Sequence, residues 1–85
     1  MKLFHVAVNV TPRRGLLDPQ GKAVADALRT LGFPGVRDVH VGRRVVIETE
    51  AADERAAEAS ARDMCARLLA NPVMEDYAVE GVVPA

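Results

Sequence analysis

The sequence predicts a small α+β domain, and three observations support this class. The N-terminal residues alternate between apolar and more polar side chains, as the residues of a half-buried strand do. Two later stretches, 18–32 and 53–70, carry apolar residues at helical spacing. Short aliphatic runs follow each stretch, and the length of 85 residues allows one domain with a thin core.

The first element is a strand over residues 2–11. Phe4, Val6, Val8 and Val10 share one face of this strand and are predicted to point into the core. Pro12 ends the strand because proline has no N–H to donate to a neighbouring strand.

The first helix begins with an N-capping aspartate, Asp18, and a proline at the first helical position, Pro19. It ends at Gly32, and its apolar stripe consists of Val24, Ala27, Leu28 and Leu31. Gly21 is unexpected in the first turn, where it costs about 0.5–1 kcal/mol relative to alanine. This cost indicates a close approach to the backbone, and a Gly21→Ala change is expected to stabilise the isolated chain.

Two strand-like runs, 36–41 and 45–50, flank Gly42-Arg43-Arg44 and predict a hairpin. A two-residue turn would place Arg44 opposite Val41, whereas a three-residue loop keeps the aliphatic side chains together, so the three-residue loop is predicted. The longer loop also sets Asp38 opposite Glu48, which is an unfavourable pair.

The second helix is predicted over 53–70, with Asp53 and Glu54 in its first turn. Its apolar stripe consists of Ala57, Ala61, Met64, Cys65 and Leu68, and its polar face carries the pairs Glu58–Arg62 and Asp63–Arg67. Asn71 is expected to close the helix in a left-handed conformation, and Pro72 prevents its continuation. A last strand follows over 73–79, so that residues 1–80 form the domain and residues 81–85 a frayed tail.

The predicted order is βαββαβ, which is the ferredoxin-like arrangement of a four-stranded antiparallel sheet with two helices on one face. The other sheet face is left uncovered, and it mixes apolar and polar side chains: Leu3, His5, Ala7, Asn9, His40 and Val46. A face of this kind is suited to packing on another sheet. We therefore expect a homo-oligomer.

Composition limits the partners and the compartment. With 11 basic and 12 acidic side chains the net charge is −1, which argues against nucleic acid or membrane as a partner. The single cysteine excludes an internal disulfide and is typical of a reducing, cytoplasmic compartment. No apolar run approaches the roughly 18 residues that span a membrane.

No set of residues predicts an active site, a metal site or a cofactor site on this chain. Cys65 lies on the apolar stripe, and His5 and His40 lack a third ligand at a recognisable spacing. Glu75 and Asp76 are adjacent on a strand, so they point to opposite faces and cannot act as a pair. The alternative suggested by the fold is a dimeric regulatory domain that binds an amino acid.

Two motifs carry a resemblance to a known family. The first is Leu17-Asp18-Pro19-Gln20-Gly21, and the second comprises Met64, Cys65, Leu68, Leu69, Ala70, Asn71, Pro72, Val73, Glu75, Asp76 and Tyr77. At this separation, in a chain of this length, they resemble the PurS family, the small accessory subunit of phosphoribosylformylglycinamidine synthase. The resemblance covers nearly the whole sequence.

The resemblance implies a non-catalytic subunit that forms dimers or tetramers. It implies that the chain joins an ATP-dependent synthetase subunit to a glutaminase subunit in purine biosynthesis and supports ammonia transfer between them. ATP and Mg are expected on the synthetase partner. Asp18, Pro19, Asn71 and Pro72 have structural explanations at helix ends, and Cys65 and Leu68 are expected to pack in the core. Five motif residues have weaker structural explanations and are the candidates for partner contact: Gln20, Gly21, Glu75, Asp76 and Tyr77.

Overall fold

The computed structural model describes residues 1–13 and 18–85, so the motif residue Leu17 lies outside the described residues. The elements are β1 (Lys2–Pro12), α1 (Pro19–Thr30), β2 (Arg43–Ala51), α2 (Glu54–Met64), a π-helical turn (Cys65–Leu69) and β3 (Glu75–Pro84). The strands form an antiparallel sheet of order β2-β1-β3. The α+β class is confirmed, but the described residues form three strands and not the predicted four.

The core lies between the inner face of the sheet and α2. Phe4, Val6, Val8 and Val10 of the central strand β1 are all buried, as the alternation predicts. Helix α2 contacts all three strands. Its buried residues Ala57 and Ala61, and Cys65 at the start of the π turn, have small side chains, which let the helix lie close to the sheet. The predicted ion pairs on its polar face also form, at 3.3 Å for Glu58–Arg62 and 3.0 Å for Asp63–Arg67.

The predicted strand over 36–41 is wrong, and the hairpin register built on it is therefore wrong as well. Side chains bind the backbone N–H and carbonyl groups that a strand would use to pair with its neighbour. The Arg29 guanidinium donates to the carbonyls of Val36 and Arg37 at 2.9 and 3.0 Å. The Val41 N–H donates to the Asp18 carboxylate at 3.1 Å. Strand β2 pairs with β1 instead, with Ile47 opposite Val6.

Helix α1 begins and ends as predicted but does not cover the sheet. Gly32 has a φ of 102°, and the Phe33 N–H donates to the Leu28 carbonyl at 3.1 Å, which closes the helix in a Schellman motif. The predicted apolar stripe is largely exposed, with Val24 38 % and Leu31 73 % accessible. Helix α1 and residues 33–42, which bond to it, form what we call the arm. Along its three principal axes the chain extends 51, 25 and 14 Å.

The last turn of the second predicted helix is a π turn, and this changes which leucine faces the core. The Ala70 N–H donates to the Cys65 carbonyl at 3.0 Å, five residues back. Leu69 and Ala70 therefore reach the core, whereas Leu68 is 83 % exposed. The assignment of Leu68 to the buried stripe is wrong because the stripe assumes α-helical spacing throughout.

The segment after α2 also differs from its predicted form. No described residue other than glycine has a positive φ, so Asn71 does not close the helix in a left-handed conformation. Instead its side chain accepts from the Val73 N–H at 3.0 Å, and its carbonyl accepts from the Glu75 N–H at 2.8 Å.

Strand β3 begins later and ends later than predicted. It starts at Glu75 and continues to Pro84, so residues 81–84, expected in a frayed tail, pair with β1. The pairing shifts register between Ala7 and Val8, opposite Glu80. No helix in the described part of the chain is long and apolar enough to cross a membrane.

Candidate functional site

The two sequence motifs, separated by about 50 residues along the chain, line one cleft of about 660 Å³. The first motif contributes Asp18, Pro19 and Gln20, and the second contributes Asn71, Met74 and Glu75. The junction between the arm and β2 completes the wall with Val41, Gly42 and Arg43. The cleft therefore lies where the arm leaves the sheet.

Asp18 binds both α1 and the returning segment of the arm at one side of the cleft. One carboxylate oxygen accepts from the Gly21 N–H at 3.0 Å, and the other accepts from the Val41 N–H at 3.1 Å. His40 Nδ1 lies 3.7 Å from the second oxygen, and the Asp18 side chain is 11 % exposed. The two backbone donors hold the pKa of this carboxyl below its usual range. The N-capping prediction is confirmed, and the bond to Val41 is a second function that the sequence did not reveal.

Gly21 has an explanation within the chain. It is buried, and the Val39 carbonyl oxygen lies where a Cβ on Gly21 would be. The close approach inferred from the sequence is therefore made by the chain's own arm. We therefore expect Gly21→Ala to destabilise the isolated chain and not to stabilise it, because a methyl group at this position would meet a backbone atom.

Arg43 and Glu75 form the opposite side of the cleft. The guanidinium binds both carboxylate oxygens, at 2.7 and 3.0 Å, and also donates to the Leu69 carbonyl at the end of the π turn. The Asn71 N–H donates to the same carboxylate at 2.9 Å. These donors, Arg43 first, lower the pKa of Glu75, and the carboxylate in turn raises the pKa of Arg43. This network holds the end of the π turn to the starts of β2 and β3.

The other partner-contact candidates divide between the surface and the core. Gln20 is exposed at the rim of the cleft, and Asp76 is exposed and paired with Arg13 at 3.1 Å. Tyr77 is half-buried and packs against the core opposite Val10. The ring of Tyr77 therefore has a structural function independent of any partner.

The outer sheet face is uncovered, as predicted, but His40 is not on it. Leu3, His5, Ala7 and Asn9 of β1 and Val46 of β2 share this face. His40 instead lies in the arm, where its Nε2 is 2.9 Å from an Asp38 carboxylate oxygen. It was misplaced because the strand assumed for 36–41 does not form.

Among the described residues, two polar contacts cross the outer face. His5 Nε2 lies 3.0 Å from a Glu48 carboxylate oxygen, and Arg44 forms an ion pair with Glu80 at 3.0 Å. The bond from Arg44 lowers the pKa of Glu80. The apolar part of the face consists of Leu3, Ala7, Val46 and Val83, and Val46 and Val83 are both more than half exposed. Val83 was not predicted here because residues 81–85 were read as a tail.

Arg43 was not predicted as a site residue, because the residues Gly42-Arg43-Arg44 were interpreted as a loop. Gly42 is also required here, since a Cβ on it would meet the Val10 carbonyl. The only sequence signal for Arg43 was that the Glu75 carboxylate would be expected to have a positively charged partner. Several arginines could have supplied that charge.

Residues 5–82 match the family model of PurS, phosphoribosylformylglycinamidine (FGAM) synthase. The PurS subunit of this synthase from Synechocystis sp. is 42 % identical over 77 residues, which are 91 % of this chain and 77 % of that protein. The subunit from Bacillus subtilis is 38 % identical over 92 % of each chain.

Solved structures give the same result. Thermus thermophilus PurS superposes with a TM-score of 0.84, at 42 % identity over 95 % of each chain. A chain of the structure of PurLQS from Thermotoga maritima has a TM-score of 0.81, at 30 % identity over the full length of both. The chain analysed thus belongs to the PurS family.

Proposed function

We propose that this chain is the small, non-catalytic subunit of phosphoribosylformylglycinamidine synthase in purine biosynthesis. The observation that carries the proposal is the full-length likeness to a chain of the Thermotoga maritima PurLQS structure. In this proposal the chain joins the ATP-dependent synthetase subunit to the glutaminase subunit and supports the passage of ammonia between them. ATP and Mg bind to the synthetase partner.

The chemistry of the described residues supports a non-catalytic function. The carboxylates of the cleft, Asp18 and Glu75, already accept bonds from the chain itself. The Cys65 thiol is fully buried, and burial raises its pKa, so it is a poor nucleophile. A buried, free thiol is also typical of a reducing compartment, which supports a cytoplasmic location.

Self-association through the outer sheet face is part of the same proposal. The face is broad and semi-apolar, and the core beneath it consists mainly of valine and alanine side chains. Small cores of this kind are commonly completed by oligomerisation. We propose a dimer or a tetramer in which Leu3, Ala7, Val46 and Val83 are covered by a second copy.

The alternative of an amino-acid-binding regulatory domain is not favoured by the comparisons, since every relative described above is a PurS protein. Co-purification tests the proposal directly. The tagged chain is mixed with the purified synthetase and glutaminase subunits, with and without glutamine and nucleotide. We expect one complex containing all three proteins. Failure to retain either large subunit under every condition would contradict the proposal.

A further inference from the structure

Strand β2 leaves one side of the sheet open. Among the described residues the strand order is β2-β1-β3, so β2 pairs with β1 on one side only. The predicted hairpin would have covered the other side with residues 36–41, but those residues bond to α1 in the arm. The open side of β2 therefore presents the backbone N–H and carbonyl groups of an edge strand.

This edge lacks the features that usually prevent a strand from pairing with another chain. Strand β2 is nine residues long, contains no proline, glycine or lysine, and pairs with β1 without a register shift. The other edge strand, β3, contains Gly81 and Pro84, and its pairing shifts register at Glu80. Bulges, prolines and lysines protect an edge. The open side of β2 is therefore the edge that is suited to accept a further strand.

The sequence of β2 is complementary to itself when two copies run antiparallel. Placing Val46 opposite Val46 of the second copy sets Val45 opposite Ile47 on the inner face. On the outer face it sets Arg44 opposite Glu48. Aliphatic pairs and opposite-charge pairs at directly opposed positions stabilise a sheet. Each of the last two pairs occurs twice, as a two-fold contact requires.

The neighbouring registers are less favourable. A pair centred on Val45 would set Arg44 opposite Val46, and a pair centred on Ile47 would set Val46 opposite Glu48. A pair centred on Glu48 would oppose two like charges. Of these registers, only the one centred on Val46 joins opposite charges and sets no charged side chain opposite an aliphatic one.

The side chains that would meet are accessible in the single chain. Val46 is 54 % exposed, and the side chains of Arg44 and Glu48 are 55 % and 60 % exposed. Arg44 binds Glu80 through Nε, so its two terminal nitrogens can donate to Glu48 of the second copy. Ile47 packs against the core but is only partly buried, and pairing would cover it further.

We propose that β2 pairs with β2 of a second copy about a two-fold axis at Val46, which joins two three-stranded sheets into one continuous sheet. This contact differs from the outer-face contact described above, in which one sheet packs on top of another. A chain that uses both contacts can form a tetramer, and a chain that uses one forms a dimer. The inference needs neither large subunit and goes beyond the proposed function.

Engineered disulfides in the isolated chain test the pairing. Directly opposed residues of antiparallel strands have Cα atoms about 4.5–5.5 Å apart, which a disulfide can bridge. Stacked sheets lie about 10 Å apart, which is too far. Oxidised glutathione should therefore convert Val46→Cys to a covalent dimer. The wild type should stay unlinked, because its Cys65 is buried.

Glu48→Cys is the matched control, because it lies on the same face of the same strand. In the proposed register it is opposite Arg44 of the second copy and distant from its own counterpart, so it should not cross-link alone. Arg44→Cys should not cross-link alone either. When the Arg44→Cys and Glu48→Cys chains are refolded together from urea and oxidised, we expect a covalent dimer of the two variants.

The melting temperatures of the reduced variants establish that each chain is folded. The inference is wrong if neither Val46→Cys nor the mixture gives a covalent dimer, and a second copy then does not occupy this edge. It is also wrong if Glu48→Cys alone forms a covalent dimer as readily as Val46→Cys. Both results leave the proposed function standing, because neither large subunit is present. Failure of the chain to bind the large subunits would in turn leave the edge pairing intact.

Discussion

The carbonyl oxygen of Val39 occupies the position that a Cβ on Gly21 would need. This relationship joins the first turn of α1 to the returning chain of the arm. Gly21→Ala should therefore destabilise the isolated chain by about 1–3 kcal/mol, the usual cost of forcing atoms into a packed site. Urea unfolding measures the change.

Gly35→Ala is the control for this prediction, because nothing lies within 4 Å of a Cβ at that position. Its effect should stay within about 0.5 kcal/mol. Equal stability of the two variants would show that Val39 does not approach Gly21 in solution.

The two adjacent leucines of the π turn should respond differently to truncation. Leu69 packs against the core, so Leu69→Ala should cost about 1–2 kcal/mol, part of the loss seen at fully buried sites. Leu68→Ala should change the free energy of unfolding by less than about 0.5 kcal/mol, since Leu68 is exposed. A larger loss of stability for Leu68→Ala than for Leu69→Ala would indicate that this turn is α-helical.

Acid should weaken the contacts around the cleft. The folded-state pKa values of Asp18 and Glu75 are both lowered, so the stability they contribute is present above their unfolded values of about 4. It is lost as the pH falls through the folded values. The difference in melting temperature between the wild type and Glu75→Gln should therefore be larger at pH 7 than at pH 3.

Asp63→Asn provides a comparison for the acid experiment, because its partner Arg67 is 79 % exposed. Exposed pairs contribute little to stability, so this variant should follow the wild type at both pH values. If the melting temperatures of Glu75→Gln and the wild type differ by the same amount at pH 7 and at pH 3, the Arg43–Glu75 pair does not hold the end of the π turn.

The outer sheet face should control the oligomeric state. Ala7→Arg places a charged side chain at the centre of the face, and light scattering should report a shift towards the monomer of about 9 kDa. Arg62→Ala, on the exposed side of α2, should leave the assembly unchanged. A wild-type chain that is monomeric at micromolar concentration would contradict the self-association proposal.

Local sequence patterns correctly predicted the features that depend only on residues within one helix or strand. The alternation of β1, the Asp18 cap of α1 and the Gly32 stop all follow from rules that act within one element. The same holds for Ala57 and Ala61 in the predicted stripe of the second helix, whereas its last member, Leu68, is exposed. The motif residues were also identified, although their convergence on one cleft needs the tertiary structure.

Tertiary hydrogen bonds, a local change of helix type and a shift of strand register account for the features that local patterns did not predict. Residues 36–41 have the valine content of a strand, but Asp18 and Arg29 bind their backbone groups. The π turn moves the stripe by one residue, a change that helical periodicity cannot show. The pairing of residues 81–84 with β1 depends on a register shift that no local pattern encodes.

In the proposed function, this chain couples the glutaminase subunit to the synthetase subunit without catalysing a step itself. The most direct measurement is turnover of the reconstituted enzyme with glutamine or with ammonia as the nitrogen source, each with and without this chain. We predict that omitting the chain abolishes glutamine-dependent turnover and leaves the ammonia-dependent reaction of the synthetase largely intact. Full glutamine-dependent turnover in its absence would contradict the account.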